Sequence, residues 1–415
     1  MKITVSRDAD ELKWPDDADG AVPYWIYTDK DNYQRELEQI WYGRHWLYCG
    51  LEVEVPQVGN YRTAMLGERP VIMVRSSETD ITVVENRCAH RGTKVCWTHS
   101  GLSEEFKCPY HQWIYDLEGN LVGVPFRRGV RGQGGMPNDF DPSQFGLRRL
   151  KVEVVNGVVW ASFSQDTPAF REYLGSNLWR CYERIFSGKK LRIVGYNRQR
   201  IHGNWKLMQE NNKDPYHGAL LHAFFATFGL FRPDQKNALE MDETGRHASI
   251  TSTMEKGGVN DVTGSLPGFD STLQLKDPRL VRAVKELKGD ETMSGNSIFP
   301  SVVLLQQVNS MQARQIVPRG PDVFDFYWTH FGYEDDDEEM RQRRALHANL
   351  FGPAGYVSAD DSEAIAMQQR GITSAHSADW SPILMGGRSV ERSNNMASET
   401  GVRGMYRYYR KVMGL

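Results

Sequence analysis

The chain has 415 residues, 40% of them apolar and 25% charged, with a formal net charge of −3. Such a length calls for about two or three domains with ample core, and the weak net charge excludes a basic field for nucleic acid or anionic lipid. No run approaches the roughly 18 apolar residues of a membrane span, and the opening MKITVSRDADELKWPDDADG lacks a signal peptide's apolar centre. The cysteines Cys49, Cys88, Cys96, Cys108 and Cys181 are odd in number, which points to a reducing cytoplasm without a disulfide framework.

Residues 24–48 predict a helix entering a strand, with Asp29 and Asp31 as candidate N-caps and Glu36, Ile40 and Trp41 at helical spacing. From about residue 50 to 165, short β-rich runs (YRTAML, PVIMVRS, ITVVEN, KVEVVNGVVWASF) alternate with Gly, Asp and Asn turns and predict an all-β domain of hairpins. Beyond 166, helices and strands mix. Segment 203–230 is helix-like, 298–318 and 323–333 read as two neighbouring long strands, and 338–351, 359–370 and 398–413 read as helices. An antiparallel sheet covered by helices, an α+β domain, is the simplest arrangement. The acidic run from Glu334 to Glu339, followed by Arg341, Arg343 and Arg344, fits a helix whose charges complement its dipole.

Two tight pairs lie in the β-rich region: Cys88-x-His90 and, after a gap of 17, Cys108-x-x-His111. Each sits where a β-run ends in a turn, so two loop tips can present two thiolates and two imidazoles to one centre. Thiolates on one iron and imidazoles on the other would make a [2Fe–2S] cluster of raised potential. The same ligand types build structural zinc sites. Cys96 and His99 lie between the pairs without repeating their spacing. The two motifs, with Arg91-Gly92, Tyr110 and Trp113, closely resemble the Rieske ferredoxin fold of oxygenases.

A second constellation is Asp214-x-x-His217-x4-His222. Asp214 and His217 share a helix face. His217 and His222 stand roughly 140° apart on an ideal helix, so both can face one metal only if the helix distorts, and Pro215 would help distort it. Two His and one carboxylate leave positions open on Fe(II) for O2. FGPAGYVSADDSEAIAMQQRG offers Asp360 and Asp361 at a helix start.

From YWIYTD to VRGMYRYYRKVMG the chain resembles the large subunit of Rieske non-haem iron ring-hydroxylating oxygenases, in the branch acting on aromatic acids. The motif Glu-Asn-x-x-Asp-x-Tyr-His-x4-His falls on Glu210, Asn211, Asp214, Tyr216, His217 and His222, and GPAG on Gly352 to Gly355. The resemblance implies a peripheral segment at 1–45 packing on the catalytic domain, a Rieske domain at 46–165 and a catalytic domain at 166–415. It implies a [2Fe–2S] cluster on Cys88, His90, Cys108 and His111, and Fe(II) on His217, His222 and Asp361. It further implies a head-to-tail trimer, α3β3 with small subunits or α3, in which Asp214 bridges His217 of one chain and His111 of the next. Electrons would come from NAD(P)H through a separate reductase or ferredoxin. The loop RRGVRGQGGMP does not match G-x-G-x-x-G and reads as a loop or interface segment.

An aromatic acid needs a cation in an apolar pocket. Arg314 matches an Arg of this branch and is the candidate clamp, a structural ion pair being the competing reading; Asn211 is a second candidate for contacting substrate. Terephthalate enzymes carry another Arg where this chain has Met396, which favours a monocarboxylate such as salicylate or an aminobenzoate over a dicarboxylate. Arg403 is expected in a helix-end salt bridge. Asn212 departs from the Val of many relatives. A demethylase with the same metals, and an electron-transfer or zinc-stabilised binding protein, are the rival classes.

Overall fold

The computed structural model describes residues 12–254, 261–376 and 378–415, so residues 1–11 of the opening stretch lie outside the described residues. The chain forms two compact units, Trp41–Phe170 and a second that joins residues up to Ile40 with Arg171–Leu415.

The first unit holds three small antiparallel sheets. The largest pairs Ile81–Glu85, Arg69–Arg75, Asn60–Leu66 and Ser100–Leu102 in that order. Val71 to Val74 are all buried, so both faces of the Arg69–Arg75 strand are covered. Phe106–Lys107, Ile114–Tyr115 and Leu121–Gly123 form the second sheet, and Lys151–Val155, Val158–Ser162 and Leu47–Leu51 the third. The predicted hairpins are therefore present.

The second unit is built on a seven-stranded antiparallel sheet. Its order is Leu191–Ile201, Val323–Tyr333, Ser310–Gly320, Val302–Gln307, Met293–Ile298, Ala248–Thr253 and Lys236–Met241. Here the structure corrects one expectation. Segment 298–318 is not one long strand but a hairpin, Val302–Gln307 turning into Ser310–Gly320. Val308 takes a left-handed φ of 53° at the turn, and the Asn309 side chain is held by the Val284 backbone, accepting from its N–H at 2.9 Å and donating to its carbonyl at 2.7 Å. Both strands are buried on both faces. No change in hydrophobic alternation therefore marks the reversal.

The helix expected over 24–48 is also divided. Asp29 is extended and its carboxylate accepts from Asn32 N–H at 2.7 Å, capping a new helix, Lys30–Glu36, after Trp25–Thr28. Glu36, fully buried, ties this segment to the unit. It pairs with Lys206 Nζ at 2.7 Å and accepts from Trp205 Nε1 at 2.8 Å and Tyr409 Oη at 2.6 Å. The acidic run behaves as predicted, with Asp337 capping Glu338–Leu350. Its basic end goes further, since Arg344 turns inward to Asp336 and Glu286.

Candidate iron sites

In the first unit the two motif loops are built alike. Gly92 N–H donates to the Cys88 carbonyl and Gln112 N–H to the Cys108 carbonyl, so each cysteine opens a tight turn. Each turn ends in the left-handed region, at Gly92 with φ 74° and at Gln112 with φ 55°. Cys88 and Cys108 are buried, while His90 and His111 are partly exposed. The two imidazoles lie 4.6 Å apart, and His90 stacks on Trp113 at 4.8 Å. Tyr115 Oη lies 3.2 Å from Cys88 Sγ, and the backbone N–H groups of Tyr110 and His111 donate to the Cys108 sulfur. Burial is the main cause holding the Cys108 thiol above its ordinary range in the absence of metal.

These residues fit a two-iron cluster. His90 Nδ1 is buried without a hydrogen-bond partner, as a metal ligand would be. Among the described residues, one set of three or more His, Cys, Asp or Glu has its ligand atoms all within 4.8 Å of one another, and it is a different set from this one. The Cys/His set does not contract that far, although a single tetrahedral zinc with bonds of about 2.0–2.3 Å would require it to. Asn86 accepts from Val95 and Cys96 N–H and donates to the Cys96 carbonyl, which places Cys96 in the scaffold of the loop.

The set that does converge is His217, His222 and Asp361. Its geometry follows from a helix broken twice. Asn204 caps Trp205–Asn211, the chain turns through Pro215, Gly218–Leu221 forms one turn, and non-helical His222 (φ −94°, ψ 89°) precedes Ala223–Phe228. The helix-like segment 203–230 thus becomes three short helices, with the distortion expected between the two His. Asp361 comes from the first turn of Ser358–Ser374. Asp361 Oδ1 lies 3.5 Å from His217 Nε2 and 3.1 Å from His222 Nε2.

The far side of each ring is also held. His217 Nδ1 faces Asp214 at 3.2 Å and His222 Nδ1 faces Asp360 at 3.3 Å, so both Nε2 atoms are turned to the metal position. Without metal, burial opposes charge on His217, but hydrogen bonds to Asp214 and Asp361 override it and raise the pKa to about 10. Burial likewise opposes charge on Asp361, and its two His partners hold it far below the usual carboxylate range. Asn211 Nδ2 donates to Asp361 at 3.0 Å and lies 3.3 Å from His217 Nε2. Its helix is anchored by Glu210, which accepts from Tyr27 Oη at 2.8 Å and from Tyr406 and which burial pushes up to about 7. Asp360 as the partner of His222 was missed by sequence reasoning; only its adjacency to Asp361 hinted at it.

A cleft with about 570 Å³ of empty volume, part of it open to solvent, begins at this triad. Phe225, Phe231, Ile250, Met293 and Leu305 line it, with Asn211, Gln307 and Arg314 as polar groups. Among the described lining residues Arg314 is the sole Arg or Lys. It is 6% exposed and lies 4.2 Å over the Trp328 ring. Its Nε donates to Gln312 at 2.7 Å and Nη2 to the Phe351 carbonyl at 3.3 Å. Among the described residues no carboxylate pairs with it directly, so the structural ion pair considered above is absent. Burial pulls its pKa down to about 9, with Asp361 opposing from a distance. Met396 is buried in the apolar cluster that includes Phe225, Ile250, Met293 and Leu305. Among the described residues Arg403 makes no helix-end salt bridge; it donates to the Ser389, Ile383 and Met385 carbonyls of the loop that folds over it. Asn212 lines the cleft and donates to the Met208 carbonyl.

Fold and sites together define a two-centre iron oxygenase subunit. Residues 188–415 match the family described as ring hydroxylating alpha subunit (catalytic domain), and residues 45–133 match the Rieske [2Fe-2S] domain. The chain belongs to the Rieske non-haem iron ring-hydroxylating oxygenases, as an alpha subunit, and its cofactors are a Rieske [2Fe–2S] cluster and a mononuclear iron. It is 50% identical to the large oxygenase component of salicylate 5-hydroxylase from Ralstonia sp., over 97% of this chain and 96% of that one. It is 40% identical to the alpha 2 subunit of the terminal oxygenase component of terephthalate 1,2-dioxygenase from Comamonas sp. (97% and 98% covered). It is 39% identical to the large subunit of anthranilate 1,2-dioxygenase from Burkholderia cepacia (98% and 96%). The fold matches naphthalene 1,2-dioxygenase from Rhodococcus sp. with a TM-score of 0.78 at 22% identity, covering 95% and 94%. Members of this family act with a separate reductase or ferredoxin. No described helix is long and apolar enough to cross a membrane.

Proposed function

We propose that this subunit hydroxylates the ring of a small aromatic monocarboxylate, salicylate or an aminobenzoate, with O2 and electrons derived from NAD(P)H. The observation that carries this reading is Arg314: a buried cation without an acidic partner, in an apolar cleft that opens on the iron triad. A carboxylate there would complete a charge-assisted hydrogen bond from the free Nη1. Among the described residues that line the cleft there is no second Arg or Lys for a dicarboxylate, and Met396 is buried in the apolar cluster that Phe225, Ile250, Met293 and Leu305 share.

The cluster is assigned to Cys88, His90, Cys108 and His111 in residues 46–165, and the mononuclear iron to His217, His222 and Asp361 in residues 166–415, with the described part of residues 1–45 assigned to pack on the latter. Bound there, the two centres would supply electrons and activate O2. The chain's own groups would orient the reaction. Arg314 would fix the carboxylate, the apolar wall would exclude water, and Asp214 and Asp360 would hold the His rings. Asp214 is further assigned to link His217 to the His111 of a neighbouring subunit, in an α3β3 or α3 assembly. Small subunits, a ferredoxin or reductase and a cytoplasmic setting belong to the same reading.

The test is O2 uptake by the purified oxygenase with a reductase system, across salicylate, benzoate, 2-aminobenzoate, terephthalate and naphthalene. Hydroxylated product from the monocarboxylates alone is expected. Turnover of naphthalene or terephthalate with silence on the monocarboxylates would overturn the reading.

A further inference from the structure

Trp328 is 1% exposed, and its indole Nε1 is buried without a hydrogen-bond partner among the described residues. A buried Trp ordinarily satisfies that N–H, and leaving it open costs free energy. A Phe would fill most of the same space without the cost. What favours Trp here is therefore its ring face and not its polar edge. Strand register sets Arg314 directly opposite Trp328, so the two side chains share a face of the sheet. The guanidinium carbon of Arg314 stands 4.2 Å over the indole ring. Among aromatic side chains Trp offers a cation the most attractive face, and the attraction grows when water is excluded.

The described groups that accept from the guanidinium are neutral, the Gln312 side-chain oxygen and the Phe351 carbonyl. Asp361 acts on it only from a distance. His330, two residues from Trp328 and on the same face, stacks on the indole at 6.2 Å and is tied through Nε2 to Asn197 Oδ1 at 2.8 Å. Burial, with Arg314 adding to it, draws His330 down to about 4, so its imidazole is neutral. Phe326, two residues the other way, meets the indole edge-on with 5.0 Å between centroids. The ring is thus clamped between side chains of its own strand. Trp328 is not among the described residues that line the cleft, so it reaches a substrate only through Arg314.

We propose that Trp328 is a positioning residue: its indole face holds the Arg314 guanidinium in place and in its charged form for the substrate carboxylate. This rests on the aromatic-acid reading above and adds to it what keeps the clamp charged inside an apolar wall that supplies no carboxylate of its own.

The experiment follows salicylate binding by calorimetry on the intact oxygenase, without turnover, from neutral to alkaline pH. Trp328→Leu removes the ring face and Trp328→Phe keeps a weaker one. A third form carries a fluorinated tryptophan at residue 328 alone, which drains charge from the ring face and hardly changes its shape. In Trp328→Leu the affinity at neutral pH should fall by about 2- to 10-fold, because the guanidinium must be ordered on binding. Its alkaline loss of binding should begin about 0.4–1.5 pH units lower than in wild type, because the charged form has lost its support. Trp328→Phe should fall between the two. The fluorinated form should move the alkaline loss in the same direction with thermal unfolding unchanged, which a merely structural role would not do. An alkaline loss that stays in place in the Leu and fluorinated forms overturns the proposal; if Trp328→Leu does not fold, the fluorinated form decides alone. Wild-type binding with no alkaline loss overturns this inference and leaves the aromatic-acid reading standing. A wild type that binds no aromatic acid sinks both.

Discussion

Replacing Arg314 by Met separates folding from binding, because in the fold a gain offsets the loss and in binding nothing does. In the fold, removing a buried unpaired charge gains about 1–4 kcal/mol. Against that, the Gln312 side-chain oxygen loses its Arg314 donor, which costs about 1–3 kcal/mol, while the Phe351 carbonyl keeps those from Gln312 Nε2 and Ser358 Oγ. The net is near zero, so the variant folds. Binding has no such offset. A charge-assisted bond to a substrate carboxylate contributes about 1.5–3 kcal/mol, so the dissociation constant should rise roughly 10- to 150-fold. The assay is thermal unfolding with and without salicylate. At a ligand concentration of about 100 times the wild-type dissociation constant, the acid stabilises wild type by about 2.7 kcal/mol. At that concentration the variant should gain only about 0.3–1.4 kcal/mol. The pH dependence checks the same group. Binding needs the protonated guanidinium, whose pKa is drawn down to about 9 by burial. Affinity should therefore hold below that pH and fall as pH rises through it, and this alkaline limb should vanish in Arg314→Met. A variant with the full salicylate-induced shift would refute the reasoning.

Three further outcomes are expected. His222→Ala should lose the mononuclear iron yet keep two irons and two acid-labile sulfides per chain, because the cluster's candidate ligands belong to the other compact unit; metal and sulfide analysis decides this. Lys206→Met leaves the fully buried Glu36 carboxylate unpaired and should destabilise the second unit by about 3–5 kcal/mol in denaturant unfolding. Tyr115→Phe removes the hydroxyl 3.2 Å from Cys88 Sγ. A donor to sulfur favours the more negative reduced cluster, so the midpoint potential in redox titration should fall by roughly 20–65 mV, the equivalent of about 0.5–1.5 kcal/mol.

The sequence displayed the parts of this molecule whose chemistry is local. The paired Cys/His motifs, the β-hairpins and the helix caps at Asp29 and Asp337 are readable because spacing and turn residues carry the information. The break between His217 and His222 was legible from helix geometry and Pro215. The hairpin at Val308–Asn309 was not, because it lacks Gly and Pro and both flanking strands are buried on both faces. Nor was the interior role of Arg403, whose partners are backbone carbonyls that no residue type advertises.

The cleft has two walls of unlike mechanical character. One is a sheet face whose strands are each paired on both sides, carrying Ile250, Met293, Gly295, Leu305, Gln307 and Arg314. The other is a set of helices of four to seven residues and the turns beside them, carrying Asn211, His217 and His222, too short to be stable except through what they pack against and hold, with Asp361 added from the longer helix Ser358–Ser374. Recognition of the ring and retention of the metal thus reside in separate materials. Exchanging side chains at alternate positions of four adjacent strands can retune which acid enters without touching the iron's candidate seat. A substitution in the short helices cannot be so confined.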